Sequence, residues 1–254
     1  MTALAEAEVR HADRCRLTPE RALETLDEAE AWLRERGVVT LRPDCSLPSL
    51  HFALHEEPYA PGKGGFAEWP ATRWWWGHAL DQRPGIHFLK LRRGKGVFLT
   101  DETAALADPL ARAELAAADE GSHGEDAQRL VAHLAEAGPS FTEELREELG
   151  LDGRTLRVLR ARLELIGVIV ADTFEVEGSD RYATEVARWD QRFPTAAAAG
   201  AAELATAGLR AAVIAPEAEA RRWFTWEPPR EWADDLVAAG RAHRLEGRLV
   251  WTER

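Results

Sequence analysis

Two cysteines, Cys15 and Cys45, are all that 254 residues contain. So few cannot staple a disulfide-dense secreted scaffold, and the expected setting is the reduced cytoplasm. No run of about 18 apolar residues occurs, so no membrane-spanning helix is expected. Met1-Thr2-Ala3-Leu4-Ala5-Glu6 has neither the basic start nor the apolar stretch of a secretory leader. The common catalytic signatures are missing too: there is no G-x-S-x-G, no Walker loop and no C-x-x-C pair. Gly62-Lys63-Gly64-Gly65 lacks the rest of a phosphate loop. His51 and His55 stand four apart, but neither the H-E-x-x-H order nor a third ligand accompanies them, so they read as core or surface histidines. Asp81-Gln82 and Asp190-Gln191 set a carboxylate beside an amide without marking an acid–base pair. No metal or cofactor is expected.

Basic residues are outnumbered, 32 against 44 acidic ones, giving a net charge of -12. Such a chain is an indifferent partner for nucleic acid unless its cations are clustered. Between Arg73 and Gly96 they are: Arg73, Arg83, Lys90, Arg92, Arg93 and Lys95 oppose Asp81 alone, a local excess of five. Tryptophan is abundant, ten in all, with Trp74, Trp75 and Trp76 consecutive. On a helix three successive residues span about 200°, so the three rings cannot all face one core. One of them covers a neighbouring module or a ligand, where an indole face can stack a base.

The order of elements is clearest from Glu125 to Trp189. A helix with Leu130, Val131 and Leu134 at helical spacing stops at Gly138-Pro139. Ser140 to Glu143 reads as a capping box opening a second helix, which ends at Gly150. Asp152 caps a third, ending before Gly167. Val168 to Val170 and the segment from Tyr182 read as strands joined by a turn at 177–180. This is the order of a winged helix-turn-helix. Three helices and a hairpin recur over 200–253, with Ala215-Pro216-Glu217 starting a helix through Phe224. The first third reads as Thr18-Pro19 opening a helix, another at 47–55, a third at 74–80, and a hairpin over 86–100. Leu91 to Thr100 and Leu245 to Thr252 share a glycine turn, an apolar strand and a closing threonine, a degenerate repeat that points to tandem modules. The expected class is therefore α+β, mainly α: tandem winged helix-turn-helix modules with β-hairpin wings. The boundaries are a Trp-rich α/β module at 1–122, for which a degenerate winged helix is one reading, a winged helix at 123–195 and a second winged-helix-like module at 196–254. Residues 1–17 carry only weak helical character and are expected to be loose.

The third helix of the central module would be the recognition helix. At about 100° per residue, Leu156, Leu159, Leu163 and Ile166 form a core stripe, while Arg154, Arg157 and Arg160 fan over another sector. Val158, Ala161 and Leu165 fall nearly opposite the core, and Glu143, Glu144, Glu147 and Glu148 load the preceding helix with negative charge. Both a DNA face and a packing face for another module fit this pattern. The candidate DNA-binding residues are Arg154, Arg157 and Arg160, the hairpin residues Arg92, Arg93 and Lys95, and Arg73 with Trp75. The hairpin tip is chosen because it is short, basic and expected to be exposed.

Several stretches resemble the AlkZ/YcaQ-like winged-helix superfamily: Leu47-Pro48-Ser49-Leu50, Arg73 to Trp76, Leu89 to Lys95, Gly167 to Val170, and Ala211 to Pro216 through Arg222-Trp223-Phe224. That family comprises bacterial tandem winged-helix proteins, some of them DNA glycosylases acting on alkylated or crosslinked bases. In it, glycosylase action is tied to a Gln-x-Gln or Gln-x-Asp motif. Here Gln82, Gln128 and Gln191 are followed two residues later by Pro84, Leu130 and Phe193, so the catalytic motif is not carried over. The resemblance implies a protein that binds double-stranded DNA without the family's catalytic pair. A divergent glycosylase acting on alkylated or crosslinked bases, with Asp81 or another carboxylate polarising water, is a second reading. A non-catalytic module that docks a protein partner through Val158 and Leu165 is a third.

Overall fold

The computed structural model describes residues 2–63, 68–70, 73, 75–175 and 182–253. Trp74, Gly64-Gly65 and the turn expected at 177–180 lie outside the described residues. Helix exceeds strand, about 49% against 19%, and the strands form small antiparallel sheets. The mainly-α, α+β expectation holds at that level. Among the described residues no helix is long and apolar enough to cross a membrane.

The first residues are ordered rather than loose. They form α1 (Ala3–Arg14), capped by the Thr2 hydroxyl, which accepts the Ala5 amide at 3.2 Å. Its apolar face is only Leu4 and Ala7, which explains the faint periodicity, yet both pack against Ile214 and Val250. Thr18-Pro19 opens a single 3-10 turn, Pro19–Arg21. The long helix α2 (Leu26–Arg36) starts later, because Thr25 and Glu28 cap each other reciprocally: the Thr25 hydroxyl accepts the Glu28 amide at 3.2 Å, and the Glu28 carboxylate accepts the Thr25 amide at 3.3 Å. After β1 (Val38–Thr40), the helix expected over 47–55 shrinks to α3 (Leu50–Ala53). Thr40 pairs with Ser49 and donates its amide to the Pro48 carbonyl, which keeps the chain extended up to Ser49. Then come α4 (Trp76–Asp81), β2 (Ile86–Arg92), β3 (Lys95–Thr100) and α5 (Asp101–Asp119), which runs unbroken through Pro109.

The middle of the chain forms α6 (Glu125–Ala137), β4 (Ser140–Phe141), α7 (Thr142–Leu149), α8 (Gly153–Leu165), β5 (Ile169–Glu175), β6 (Tyr182–Arg188) and α9 (Trp189–Arg192). The helix starts one residue later than the sequence suggested, and only half of a capping box forms, because the N-cap is Phe141, which has no side-chain acceptor. Ser140 pairs with Val186 in the sheet, the chain stays extended through Phe141, and the Glu144 carboxylate accepts the Phe141 amide at 2.8 Å. The last stretch forms α10 (Ala201–Ala212), β7 (Ile214–Pro216), α11 (Glu217–Ala220), α12 (Trp232–Ala238), β8 (Ala242–Leu245) and β9 (Arg248–Trp251). Ala215 and Pro216 thus belong to a strand, and the helix after them ends at Ala220 rather than Phe224.

One order recurs three times: a helix, a short strand, two helices and a hairpin. The sheets confirm the recurrence, with orders β1-β3-β2, β4-β6-β5 and β7-β9-β8. In each the return strand of the hairpin is central and the short strand pairs with it antiparallel. Arg93-Gly94 and Glu246-Gly247 turn two of these hairpins with φ of 50° and 80°, and of 49° and 76°. Two successive positive φ values are the requirement of a tight hairpin turn, and glycine meets it without strain at the second position.

The chain forms two compact units, one of Met1–Phe88, Gly96–Ala104 and Ala201–Arg254, the other of Leu89–Lys95 and Ala105–Gly200. In the first, Trp32, Leu33, Val39, Leu50, Trp76 and Phe98 belong to one core. Distant segments close this unit. His11 Nδ1 lies 2.6 Å from the Ala212 carbonyl, and Glu219 accepts the Ser46 amide at 2.6 Å and the Trp223 indole N–H at 3.0 Å. In the second unit, Asp108 of α5 is 1% exposed and accepts four contacts: two from Arg112 Nε at 2.9 Å, one from the Trp189 indole at 2.8 Å and one from the Ala197 amide at 2.9 Å.

His51 of α3 is buried against the Trp69 ring, 5.4 Å between centroids, and Arg42 lies over the other partner of that pair at 4.7 Å from the Trp69 ring centre. Its Nδ1 has no hydrogen-bond partner among the described residues. Burial, with the Arg42 charge adding, pushes the imidazole down to about 4. The unfolded chain, with an ordinary value of about 6.5, binds the proton more readily. Stability is therefore fully present above about pH 6.5 and falls as pH drops toward 4, by up to about 3 kcal/mol for a shift of this size. Denaturant unfolding between pH 7 and 4 should show His51→Gln losing less stability than the parent. Parallel curves would mean that His51 does not drive the acid limb.

Candidate nucleic-acid interface

The second unit carries most of the predicted basic residues, and α8 is their support. Gly150, at φ 64°, ends α7 and lets the chain reverse within three residues. Asp152 then caps α8: its carboxylate accepts the amides of Arg154 at 2.8 Å and Thr155 at 3.1 Å, and the Thr155 hydroxyl at 2.6 Å. The Thr155 hydroxyl and these amides hold the carboxyl below the ordinary aspartate value. Leu156, Leu159 and Leu163 are buried as expected, whereas Ile166 is only partly so. Anchoring that stripe turns Arg154, Arg157, Ala161 and Arg162 to solvent, and leaves Val158 63% exposed.

The three arginines chosen from the sequence do not behave alike. Arg154 and Arg157 are exposed, and neither forms an ion pair among the described residues. Arg160 is half-buried; it donates to the Thr142 hydroxyl at 2.9 Å and lies 3.7 Å from Glu164. Glu164 is itself buried at 5% and takes Lys90 Nζ at 2.6 Å. Lys90 comes from the 89–95 hairpin, whose Gly94 approaches Leu165. The basic hairpin and α8 therefore meet inside one unit, through a carboxylate. Within that hairpin Arg93 and Lys95 are exposed, as expected of a turn, but Arg92 is buried at 8%. It is the last residue of β2 rather than part of the tip.

Two concavities flank α8. One, of about 280 Å³, is lined by Arg146, Arg157 and Arg160 together with Glu143, Tyr182 and Thr184. Three cations face one carboxylate there, and the β6 strand supplies an exposed phenol. The other, of about 400 Å³, is lined by His123, Asp126, Arg154, Val158, Leu159 and Arg162. It is mixed in charge, and Arg162 also donates to the His123 carbonyl. Sequence reasoning missed Arg146, Tyr182 and Thr184. Arg146 was hidden among the glutamates of α7. The signal that could have found it is its place one helical turn beyond Thr142, the residue that also holds Arg160.

The other candidates lie in the first unit. Arg73 is turned inward: its guanidinium donates to the Leu23 carbonyl and sits 5.1 Å from the Trp76 ring centre, while its amide donates to Glu56. Trp76 is buried and Trp75 is 48% exposed, at 81° to its neighbour, so these two rings do face different surroundings. The Asp81 carboxylate accepts the Phe88 amide at 2.8 Å. Asp190 is paired with Arg188, whose hydrogen bonds hold the carboxyl below its usual value. Cys15 is buried, and burial pushes its thiol up to about 12, which removes it as a nucleophile. Among the described residues no group of histidine, cysteine or acidic side chains could hold a metal ion.

Compared with known proteins, the chain matches no family model, no curated protein and no solved structure.

Proposed function

We propose that the chain is a DNA-binding protein built of tandem winged helix-turn-helix modules, with α8 as the recognition helix of the central one and β5–β6 as its wing. The helix–strand–helix–helix–hairpin order and the repeated placing of the return strand at the sheet centre support the architecture. The likeness to the AlkZ/YcaQ-like superfamily noted above fits it, with the catalytic glutamine motif missing. The observation that carries the binding reading is the arginine-lined concavity of Arg146, Arg157 and Arg160 beside β6, with Arg154 and Arg157 left without acidic partners among the described residues. Guanidinium groups held at the start of an exposed helix can bond phosphate oxygens, and they can reach guanine edges in a major groove. Arg93 and Lys95 of the 89–95 hairpin add exposed cations to the same unit. The buried Arg92 and the inward Arg73 are assigned to packing instead.

Because the chain is acidic overall, attraction to a duplex comes from this local set and must be strongly screened by salt. Anisotropy titration of a labelled duplex tests the reading. Binding that weakens steeply between 50 and 200 mM salt is expected, and absent or salt-insensitive binding refutes it.

A further inference from the structure

The exposed face of α8 is not uniformly basic. Stepping about 100° per residue from Arg154, Val158 falls near 40° and Ala161 near -20°, while Arg162 lies near 80° and Arg157 near -60°. The centre of the face is thus a short apolar strip, Val158 and Ala161, both exposed, with an arginine on either side and Arg154 at its N-terminal end. Leu165 would extend the strip, but it is partly covered where Gly94 approaches. A β-branched side chain at 63% exposure on a helix is left unburied by the fold itself. The strip is only two small side chains wide, far below the apolar core a stable protein interface needs. It does match one small apolar group on nucleic acid, the 5-methyl of thymine, which lies on the floor of the major groove between two phosphate walls.

Resting on the DNA reading above, we propose that Val158 and Ala161 are specificity-determining residues that contact thymine methyl groups, while Arg157 and Arg162 engage the flanking backbones and Arg154 reaches a base edge or phosphate at the helix start. The arrangement reads thymine by shape and apolar contact rather than by hydrogen bonds. Losing one methyl contact of this kind weakens binding by about fourfold.

The test uses the chain as it stands. Duplexes selected from a random pool are resynthesised with thymine or with deoxyuridine, which lacks the methyl, at each enriched position. The expected result is enrichment of thymine at one or two fixed positions, tighter binding of the thymine duplex by about fourfold per methyl, and collapse of that ratio toward one in Val158→Ala with the salt dependence unchanged. Val158 is exposed, so this variant keeps the core intact, and circular dichroism melting verifies it. Equal affinity for the two duplexes, or selection of no thymine, with salt-dependent binding retained, overturns the inference and leaves the DNA reading standing. No duplex binding at all, including the case in which Val158 instead proves necessary for capturing a protein, overturns both.

Discussion

Replacing Arg146, Arg154 and Arg157 together by alanine should abolish most duplex binding while leaving the melting temperature almost unchanged. All three are exposed, and no acidic side chain pairs with them among the described residues, so the fold loses nothing it depends on; surface changes of this kind usually stay within about 0.5 kcal/mol. Each phosphate contact contributes a slope of about -0.9 in a plot of log affinity against log salt. Three contacts therefore account for about 2.7 decades at 0.1 M salt, a loss of several hundredfold, and a slope shallower by about three. Anisotropy over a salt series reads both. A variant that loses affinity without changing its slope would show that these arginines act otherwise than on phosphates. Arg160→Ala makes a useful contrast. It takes one of the two cations from the buried Glu164 and should destabilise the unit itself.

The second large effect concerns Asp108. Asp108→Ala should lower unfolding free energy by about 3–5 kcal/mol, the usual result of removing one partner of a buried charged pair. The indole N–H of Trp189 and the amide of Ala197 would lose their acceptor, and Arg112 would keep only the Phe193 carbonyl. A fall of roughly 10 °C in the melting temperature follows for a chain of this size. Asp108→Asn should lie between the two, because one amide oxygen can still accept while its NH2 faces donors. A melting temperature within two degrees of the parent for Asp108→Ala would mean that the network adds little.

The sequence displayed those features whose signal is local. Asp152 before Gly153 named a helix start, Gly150 named an end, and two Xaa-Gly turns between apolar runs named hairpins that are present. The buried leucines of α8 were legible because helical spacing sustained over about three turns leaves few alternatives. The apolar run from Val38 did read as a short extended stretch, and β1 forms there, but two other short strands were not legible. β4 and β7 are too short for any alternation to show, and their extended form is imposed by pairing with β6 and β9, partners far along the chain. The same cause displaced the caps, since Ser140 is occupied by the sheet and Thr18 competes with a better box at Thr25. At the site, exposure of Arg154 and Arg157 could be read from the wheel, but burial of Arg92, the inward turn of Arg73 and the arrival of Arg146 beside Tyr182 depend on tertiary neighbours.

The first unit is made from the two outer stretches of the chain, and its closing contacts join residues as far apart as His11 and Ala212, or Ser46 and Glu219. A ribosome delivers residues in order at about 5–20 per second. The early segment must therefore wait roughly 10–50 seconds at that rate, with Leu4 and Ala7 uncovered, while the intervening unit emerges and folds, until Ile214 and Val250 arrive to cover them. Premature termination anywhere before α10 would release a nascent polypeptide with that apolar face bare, the kind of product that chaperones retain and proteases clear.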